Sequence, residues 1–186
     1  MPVSSLWRVG YDASRGQLPL TADELKARLD LAPHPREGGY FIQTWRSEET
    51  IPKSALDARY GGDRAAGTAI YYLLEPGTFS EMHRLVSDEV FHFYLGDPVE
   101  MLQLWPDGSS RTLVLGPDLS AGMTVQTVVP KNIWQGSRLV PGGRLALLGC
   151  TVSPGFDYAD YEAAGREELV RGWPNKRALI EMLTRF

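Results

Sequence analysis

Cysteine is nearly absent from this sequence: Cys150 is the only one in 186 residues, which excludes an intramolecular disulfide. It lies in the apolar run LALLGCTV, where a buried, inert thiol is expected rather than a nucleophile. Long apolar runs are also missing, since none approaches the roughly 18 residues that a membrane-spanning helix needs. The N-terminal stretch MPVSSLWRVGYDASRG is not a basic leader followed by an apolar segment. These absences predict a cytoplasmic protein with no membrane partner.

Positive charge is in deficit, with 19 lysines and arginines against 23 aspartates and glutamates and a net charge of −4. No basic run is present, so nucleic acid is not an expected partner. Neither a glycine-rich phosphate loop nor a Gly-x-Ser-x-Gly motif occurs, which argues against a nucleotide-binding protein and against a serine hydrolase. The chain length suits one domain, residues 1–186, with a substantial core.

Turn-forming residues are plentiful: the 19 glycines and 13 prolines fall mostly between short strand-like runs, a pattern typical of an all-β fold. Thr21 and Glu24 form a capping box, which predicts a short amphipathic helix that ends before Pro33. Apolar spacing predicts two further helices within residues 165–186. Residues 1–20 carry little pattern and are expected to form an arm or an outer strand.

Two of the three histidines lie in one stretch, residues 77–96, with the sequence GTFSEMHRLVSDEVFHFYLG. Five residues separate Gly77 from His83, five separate His83 from Glu89, and six separate Glu89 from Gly96. Strand alternation places on one face Glu89, Phe91, Phe93 and Leu95, and on the other Asp88, Val90, His92 and Tyr94. If the apolar set faces the interior, Glu89 is inside, and His92 becomes an inter-sheet or dimer-interface residue.

This spacing resembles the first motif of the cupin superfamily, in which a glycine precedes two histidines flanking one residue, then a glutamate and a second glycine. In that superfamily both histidines and the glutamate bind a divalent metal, together with a histidine from a second motif. Here Leu85 occupies the second histidine position, and Gln135 replaces the histidine of the second motif, residues 122–135. The resemblance therefore implies a reduced ligand set, His83, Glu89 and Gln135, for any Zn, Ni, Fe or Mn ion.

Longer segments resemble the fifth cupin family, an RmlC-like branch catalogued as a domain of unknown function. The matching segments are PHPREGGYFIQTWRS (33–47), TAIYYLLEPGTFSEMHRLVSDEVFHFYLGDPVEM (68–101), VVPKNIWQGSRL (128–139) and LLGCTVSPGFDYADYE (147–162). The resemblance implies a double-stranded β-helix, a jelly roll of two antiparallel sheets with short peripheral helices and a barrel core over about residues 38–158. A homodimer is expected, because open sheet edges must be covered.

Five side chains are candidate substrate contacts: Arg46, Tyr71, Phe91, Trp134 and Gln135. Arg46 ends a predicted strand and either reaches into the barrel to hold a carboxylate or phosphate, or pairs with a neighbouring surface acid. The strand that contains Tyr71 and Tyr72 sends one ring inward, and the sequence does not decide which. Trp134 and Gln135 occupy positions that face inward in the resembled family.

Two loops and the third histidine complete the candidates. Residues 51–66 are polar and glycine-rich, which suggests a surface loop able to cover the barrel mouth. Residues 154–162 are acidic and aromatic, and they form either a strand cap, with carboxylates bonded to backbone amides, or part of the pocket rim. His34 lies in the turn HPREGG and is expected to be solvated.

Three functional hypotheses follow. The first is a metal-independent isomerase, epimerase or dehydratase acting on a sugar or sugar-nucleotide derivative, with His83 as general base and Glu89 as its orienting group or as acid. The second is a small-ligand-binding protein that performs no chemistry, and the third is a metal-dependent enzyme with the reduced ligand set. The first is favoured, because a neighbouring carboxylate raises the imidazole pKa toward that of a general base. A single imidazole is a weak basis for metal affinity.

Overall fold

The computed structural model describes residues 20–185, so the arm expected at residues 1–20 lies, apart from Leu20, outside the described residues. The first helix, α1, spans Ala22–Leu29. The Thr21 hydroxyl accepts the backbone N–H of Glu24, and the Glu24 carboxylate accepts the backbone N–H of Thr21, as the capping box predicts. Asp30, with a φ of 53°, ends the helix in the left-handed conformation.

Alternating strand sequences and glycine- or proline-containing turns produce the strands that follow. They are β1 (Ala32–Pro33), β2 (Tyr40–Arg46), β3 (Thr50–Ile51), β4 (Arg64–Ala65), β5 (Thr68–Leu74), β6 (Phe79–Leu85), β7 (Asp88–Gly96), β8 (Val99–Leu104), β9 (Ser110–Leu115), β10 (Gln126–Val129), β11 (Trp134–Leu139), β12 (Ala146–Ser153) and β13 (Tyr161–Ala163). Two short helices, α2 (Arg166–Gly172) and α3 (Arg177–Met182), close the described chain. Within residues 20–185 no helix combines the length and the apolar character that a membrane crossing requires.

The strands form two facing antiparallel sheets. The first sheet has the order β1-β2-β5-β12-β7-β10, the second has the order β13-β6-β11-β8-β9, and β3 pairs with β4 as a separate ribbon. From β5 to β8 the chain passes from one sheet to the other at each turn, which is how a jelly roll winds. This arrangement confirms the predicted double-stranded β-helix with short peripheral helices.

The main apolar core lies between the two sheets. The first sheet contributes side chains such as Tyr72 and Phe91, and the second contributes Met101 and Leu115, all almost completely buried. Burying each such side chain stabilises the fold by about 2 kcal/mol. A second cluster packs α2 and α3 on the outer face of the second sheet, and a third packs α1 on the outer face of the first.

The alternation within β7 breaks near its end. The register between β7 and β12 shifts by one residue, with Leu148 opposite Phe93 but Leu147 opposite Leu95. This bulge places Phe93 in the core between the sheets and Leu95 in the cluster under α1. The prediction that Leu95 shares the inner face is therefore wrong, whereas Glu89 and Phe91 lie before the bulge and face inward.

Candidate functional site

A cavity of about 270 Å³ lies between the inner face of the first sheet and two loops. The sheet contributes Phe41 and Gln43 from β2, Thr68 and Ile70 from β5, Glu89 from β7, and Cys150 and Val152 from β12. The loops contribute His34, Glu37, Phe156 and Tyr158. Because side chains alternate along each strand, the lining residues that come from the same strand are two positions apart.

Glu89 places a carboxyl group in the cavity wall. The Nε2 group of Gln135 donates a hydrogen bond to Glu89 Oε2 at 2.5 Å. Burial raises the pKa of Glu89 to about 7, and the nearby Glu37 carboxylate contributes to the rise. Both the protonated and the ionised forms of Glu89 are therefore populated near neutral pH. The Cys150 thiol lies on the same wall, and burial raises its pKa, so it stays a thiol.

His83 lies behind Glu89 instead of on the cavity wall, with only 1% of its surface exposed. Its Nδ1 lies 2.7 Å from the carbonyl oxygen of Glu81, which requires a proton on Nδ1. The remaining nitrogen, Nε2, accepts the second Nε2–H of Gln135 at 3.2 Å. Gln135 thus joins His83 to Glu89, because β11 and β6 pair with Gln135 directly opposite His83.

A second carboxylate, Glu37, lies between two imidazoles. Glu37 Oε1 is 3.8 Å from His83 Nε2 and 3.7 Å from His34 Nε2. His34 Nδ1 accepts the backbone N–H groups of Arg36 and Glu37 at 3.3 and 2.9 Å, so its proton is on Nε2 and faces the carboxylate. Burial lowers the pKa of His34, which keeps this ring neutral at physiological pH.

The prediction that His34 is solvated is wrong, because the ring is 8% exposed and packs edge-on against Phe41 at 4.5 Å. The turn that carries it folds tightly against the second sheet. A Cβ at Gly38, which has a φ of 94°, would lie 2.6 Å from the carbonyl oxygen of Phe79. In the sequence, the consecutive glycines Gly38 and Gly39 indicate that the backbone of this turn approaches another segment closely. The same turn also brings Glu37 to the cavity.

Two candidate substrate contacts face away from the cavity. Tyr71 lies on the outer face of the first sheet, where its ring meets Tyr94 at 5.9 Å, whereas Tyr72 points into the core and donates its hydroxyl to the Gly38 carbonyl. Trp134 packs against α2 and α3 on the outer face of the second sheet. Strand alternation allows only one of two consecutive residues to face inward, and in β11 that residue is Gln135.

The other three candidates do not line the cavity either, and one of them, Gln135, is linked to it through its hydrogen bond to Glu89. Phe91 is buried among the apolar side chains between the sheets. Arg46 is the last residue of β2 and lies opposite Thr68, beyond a bulge between Gln43 and Trp45. Its side chain is exposed at the sheet end, outside the cavity lining, so the prediction of an arginine reaching into the barrel is wrong.

The loop of residues 154–162 combines the two alternatives left open by the sequence. Asp157 accepts the backbone N–H of Ala159, while Phe156 and Tyr158 form part of the cavity lining. Asp160 is buried and receives two hydrogen bonds from the Arg64 guanidinium, at 2.7 and 2.5 Å. No described lining residue comes from residues 51–66, so this segment braces the rim through Arg64 and does not cover the mouth.

The donors do not fit the divalent metal site that the superfamily pattern implies. The amide N–H groups of Gln135 point at both Glu89 and His83, the two groups that would have to coordinate the ion. Within residues 20–185 no group of three or more His, Cys, Asp or Glu side chains is placed to hold a metal ion. These donors therefore favour chemistry carried out by the side chains themselves.

Comparison with known proteins finds a matching family profile and several similar proteins. A family profile described as "Cupin superfamily (DUF985)" matches residues 23–164. Uncharacterized protein YML079W of Saccharomyces cerevisiae is 31% identical over 161 residues, covering 81% of this chain and 79% of the yeast protein. Protein SO0799 from Shewanella oneidensis is 35% identical, with a TM-score of 0.79 over 89% of this chain and 98% of that chain. A hypothetical protein from Leishmania major is 31% identical, with a TM-score of 0.80 over 90% and 100%.

More distant similarity supports the fold alone. A cupin 2 domain-containing protein from Halorhodospira halophila is 15% identical, with a TM-score of 0.51 over 80% of this chain and 84% of that chain. The profile match covers most of the chain and agrees with the two-sheet topology. The protein therefore belongs to the cupin superfamily, in the family described as DUF985.

Proposed function

We propose that this protein is an enzyme that moves a proton to or from carbon in a small hydroxylated metabolite, by isomerisation, epimerisation or dehydration. The observation that carries the proposal is the Glu89 carboxyl group, which lies on the cavity wall and is held there by Gln135. A general acid–base group must reach the substrate in a fixed orientation, and this carboxyl group meets both requirements.

The environment of Glu89 supports the same role. General acid–base catalysis is most effective when the pKa of the group lies near the working pH. Burial raises the pKa of Glu89 to about 7, so the group can accept a proton and return it without a large free-energy cost in either direction. In this arrangement Glu89 exchanges the proton with the substrate, and His83 acts through Gln135 as a positioning residue.

A second polar group faces the same cavity. Glu37 receives the Ser80 hydroxyl at 3.3 Å, and His34 presents its Nε2–H beside it. Isomerisation needs a second proton donor or acceptor at another position of the substrate, and epimerisation needs one on the opposite face of the same carbon. In this proposal Glu37 and His34 supply the second group and Glu89 supplies the first.

The test is solvent exchange at carbon. The protein is incubated in D₂O with sugars, sugar phosphates, sugar nucleotides and small hydroxyketones, and deuterium incorporation is followed by NMR. We expect at least one compound to gain carbon-bound deuterium, and we expect Glu89→Gln to slow this gain by about 10²- to 10⁴-fold. Glu48→Gln, which removes the same charge from an exposed position, is the matched control and should exchange like the wild type.

The alternative is a protein that binds a ligand and does no chemistry, which is favoured by the largely apolar cavity wall. A compound that binds the cavity and never exchanges deuterium would support this alternative. Equal rates of deuterium incorporation by the wild type and Glu89→Gln would instead show that Glu89 does not have the proposed role.

A further inference from the structure

The ionisable groups of the cavity wall carry no positive charge. Its charged residues are Glu37 and Glu89, and His34 is held neutral by burial and by the direction of its hydrogen bonds. No lysine or arginine occurs among the described residues that line the cavity. The wall is therefore neutral or negative at any pH near 7.

The nearest cations are engaged outside the cavity. The Arg36 guanidinium lies 4.8 Å from the centre of the Tyr158 ring and bonds the Tyr158 carbonyl oxygen at 3.3 Å. Arg185 lies 3.6 Å from the Glu81 carboxylate and donates to the Arg36 carbonyl oxygen at 3.1 Å. Neither is part of the cavity lining, so neither is placed to contact a buried anion directly.

The rest of the wall is apolar. Phe41 and Ile70 rise from the first sheet, and Phe156 closes the opposite side, its ring meeting Tyr158 edge-on at 5.0 Å. This surface suits the apolar body of a ligand or the CH face of a saturated ring. At about 270 Å³ the space is at the lower end of small-molecule sites, which typically span roughly 300–1,000 Å³.

We infer that the ligand of this site, whose catalytic use rests on the function proposed above, is a small molecule with hydroxyl or ammonium donors on an apolar body and with no phosphate or carboxylate. Donors of this kind form charge-assisted hydrogen bonds to Glu37 and Glu89. A buried anion would face two acids with no compensating cation, which is strongly unfavourable. The expected substrates are therefore uncharged or cationic compounds. Sugar nucleotides are excluded, because they carry phosphate groups.

The test uses three probes of matched shape: cyclohexylmethylamine, cyclohexylmethanol and cyclohexanecarboxylate. Binding to the full-length protein is measured at pH 7 by ligand-observed NMR titration, which detects millimolar dissociation constants. We expect the ammonium probe to bind at least tenfold more tightly than the carboxylate, with the alcohol between them. Glu37→Gln should reduce the ratio between ammonium and carboxylate at least fivefold, and the charge-matched control Glu48→Gln should leave it unchanged.

Two results would overturn the inference: a carboxylate probe that binds as tightly as the ammonium probe, or no binding of any of the three. Failure of the proposed function looks different, because the probes then bind in the expected order while no compound exchanges deuterium. Conversely, if a phosphorylated or carboxylated compound exchanges deuterium at carbon, the proposed proton-transfer function is supported and the inferred ligand class is wrong.

Discussion

Gln135 stands where the superfamily pattern has a metal-binding histidine, and its amide replaces a coordination bond with two hydrogen bonds. One N–H goes to the Glu89 carboxyl group and the other to His83. The Gln135 amide oxygen is buried and has no hydrogen-bond partner among residues 20–185. Turning the amide over would place this oxygen against the Glu89 carboxyl oxygen and His83 Nε2, so the observed orientation keeps the hydrogen bond to the carboxyl group. With Leu85 at the second histidine position, these two replacements leave His83 as the one imidazole at the motif positions.

Replacing Glu89 with glutamine should change the pH dependence of stability. The pKa of Glu89 is about 7 in the folded protein and 4.5 in the reference state, so folding takes up a proton. This contribution to stability is fully present below pH 4.5 and is lost as the pH rises through 7. Glu89→Gln should therefore gain stability relative to the wild type between pH 4.5 and pH 8.5, by about 3 kcal/mol.

Urea unfolding of both proteins across this pH range measures the difference. The exposed variant Glu48→Gln should track the wild type at every pH. A stability difference between Glu89→Gln and the wild type that does not change with pH would show that the pKa of Glu89 is not raised by folding.

At the residue scale, the sequence located part of the site well. Motif spacing singled out His83, Glu89 and Gln135, and these three form one hydrogen-bonded chain. It missed Glu37 and His34, because their positions depend on a turn whose backbone path is set by contacts with the second sheet. His83 was also predicted to be the general base, whereas His83 lies behind Glu89 and only Glu89 is on the cavity wall. Spacing along the chain does not tell which side chain lies in front.

At the scale of elements, the cavity rim depends on one long-range ion pair. Arg64 is the first residue of the short strand β4, and Asp160 belongs to the loop that carries Phe156 and Tyr158. Their side chains are 4% and 5% exposed, and the guanidinium makes a bidentate contact. The pair holds these two irregular segments together alongside the backbone hydrogen bond that the Gly155 N–H donates to the Ala65 carbonyl oxygen at 2.8 Å.

Asp160→Asn should be strongly destabilising, because it leaves the Arg64 charge buried without a counter-charge, at a cost of about 3–5 kcal/mol. A matched control is Glu162→Gln, which disrupts the similar bidentate but exposed pair with Arg84 and should cost less than about 1 kcal/mol. Denaturant unfolding compares the two variants. Equal losses of unfolding free energy would show that burial does not make the Arg64–Asp160 pair more important for stability than the exposed pair.

Helices and strand faces were predicted correctly where the spacing of apolar residues is regular, and they were missed where that spacing is interrupted. The capping box at Thr21 and Glu24 defined α1, and alternation defined the inner face of β7 up to Phe93. The bulge beyond Phe93 moved Leu95 to the other face, and nothing in the local sequence marks it. Residues 51–66, whose polar composition suggested a mobile cover, instead form a short ribbon tied to the rim.

At the scale of the whole molecule, the outer face of the first sheet is divided in two. α1 covers the part near β5, where Tyr71 and Leu73 lie. Toward β10, Tyr94 is 50% exposed and Val128 is 49% exposed, with His92 between them bonded to Thr151 and Gln126. We propose that the expected homodimer forms through this second part, because within residues 20–185 β10 is also an edge strand of its sheet.

Light scattering coupled to size exclusion should then give twice the 20.7 kDa chain mass. Tyr94→Lys and Val128→Lys should each shift the equilibrium toward the monomer, since each places a charge in an apolar contact. Met182→Lys, at an exposed apolar position on α3, is the matched control and should leave the dimer intact. A dimer unaffected by both Tyr94→Lys and Val128→Lys would place the interface elsewhere.

The cavity draws its wall from distant parts of the chain, from His34 near the start to Tyr158 near the end. During synthesis the segments emerge in that order, so the polar turn and the inner strands exist long before the residues that close over them. A chain that stops short of Asp160 has every residue of the cavity lining but lacks the ion pair that fixes the rim. A ligand that binds only the complete cavity would therefore stabilise the folded full-length chain and not the shortened one.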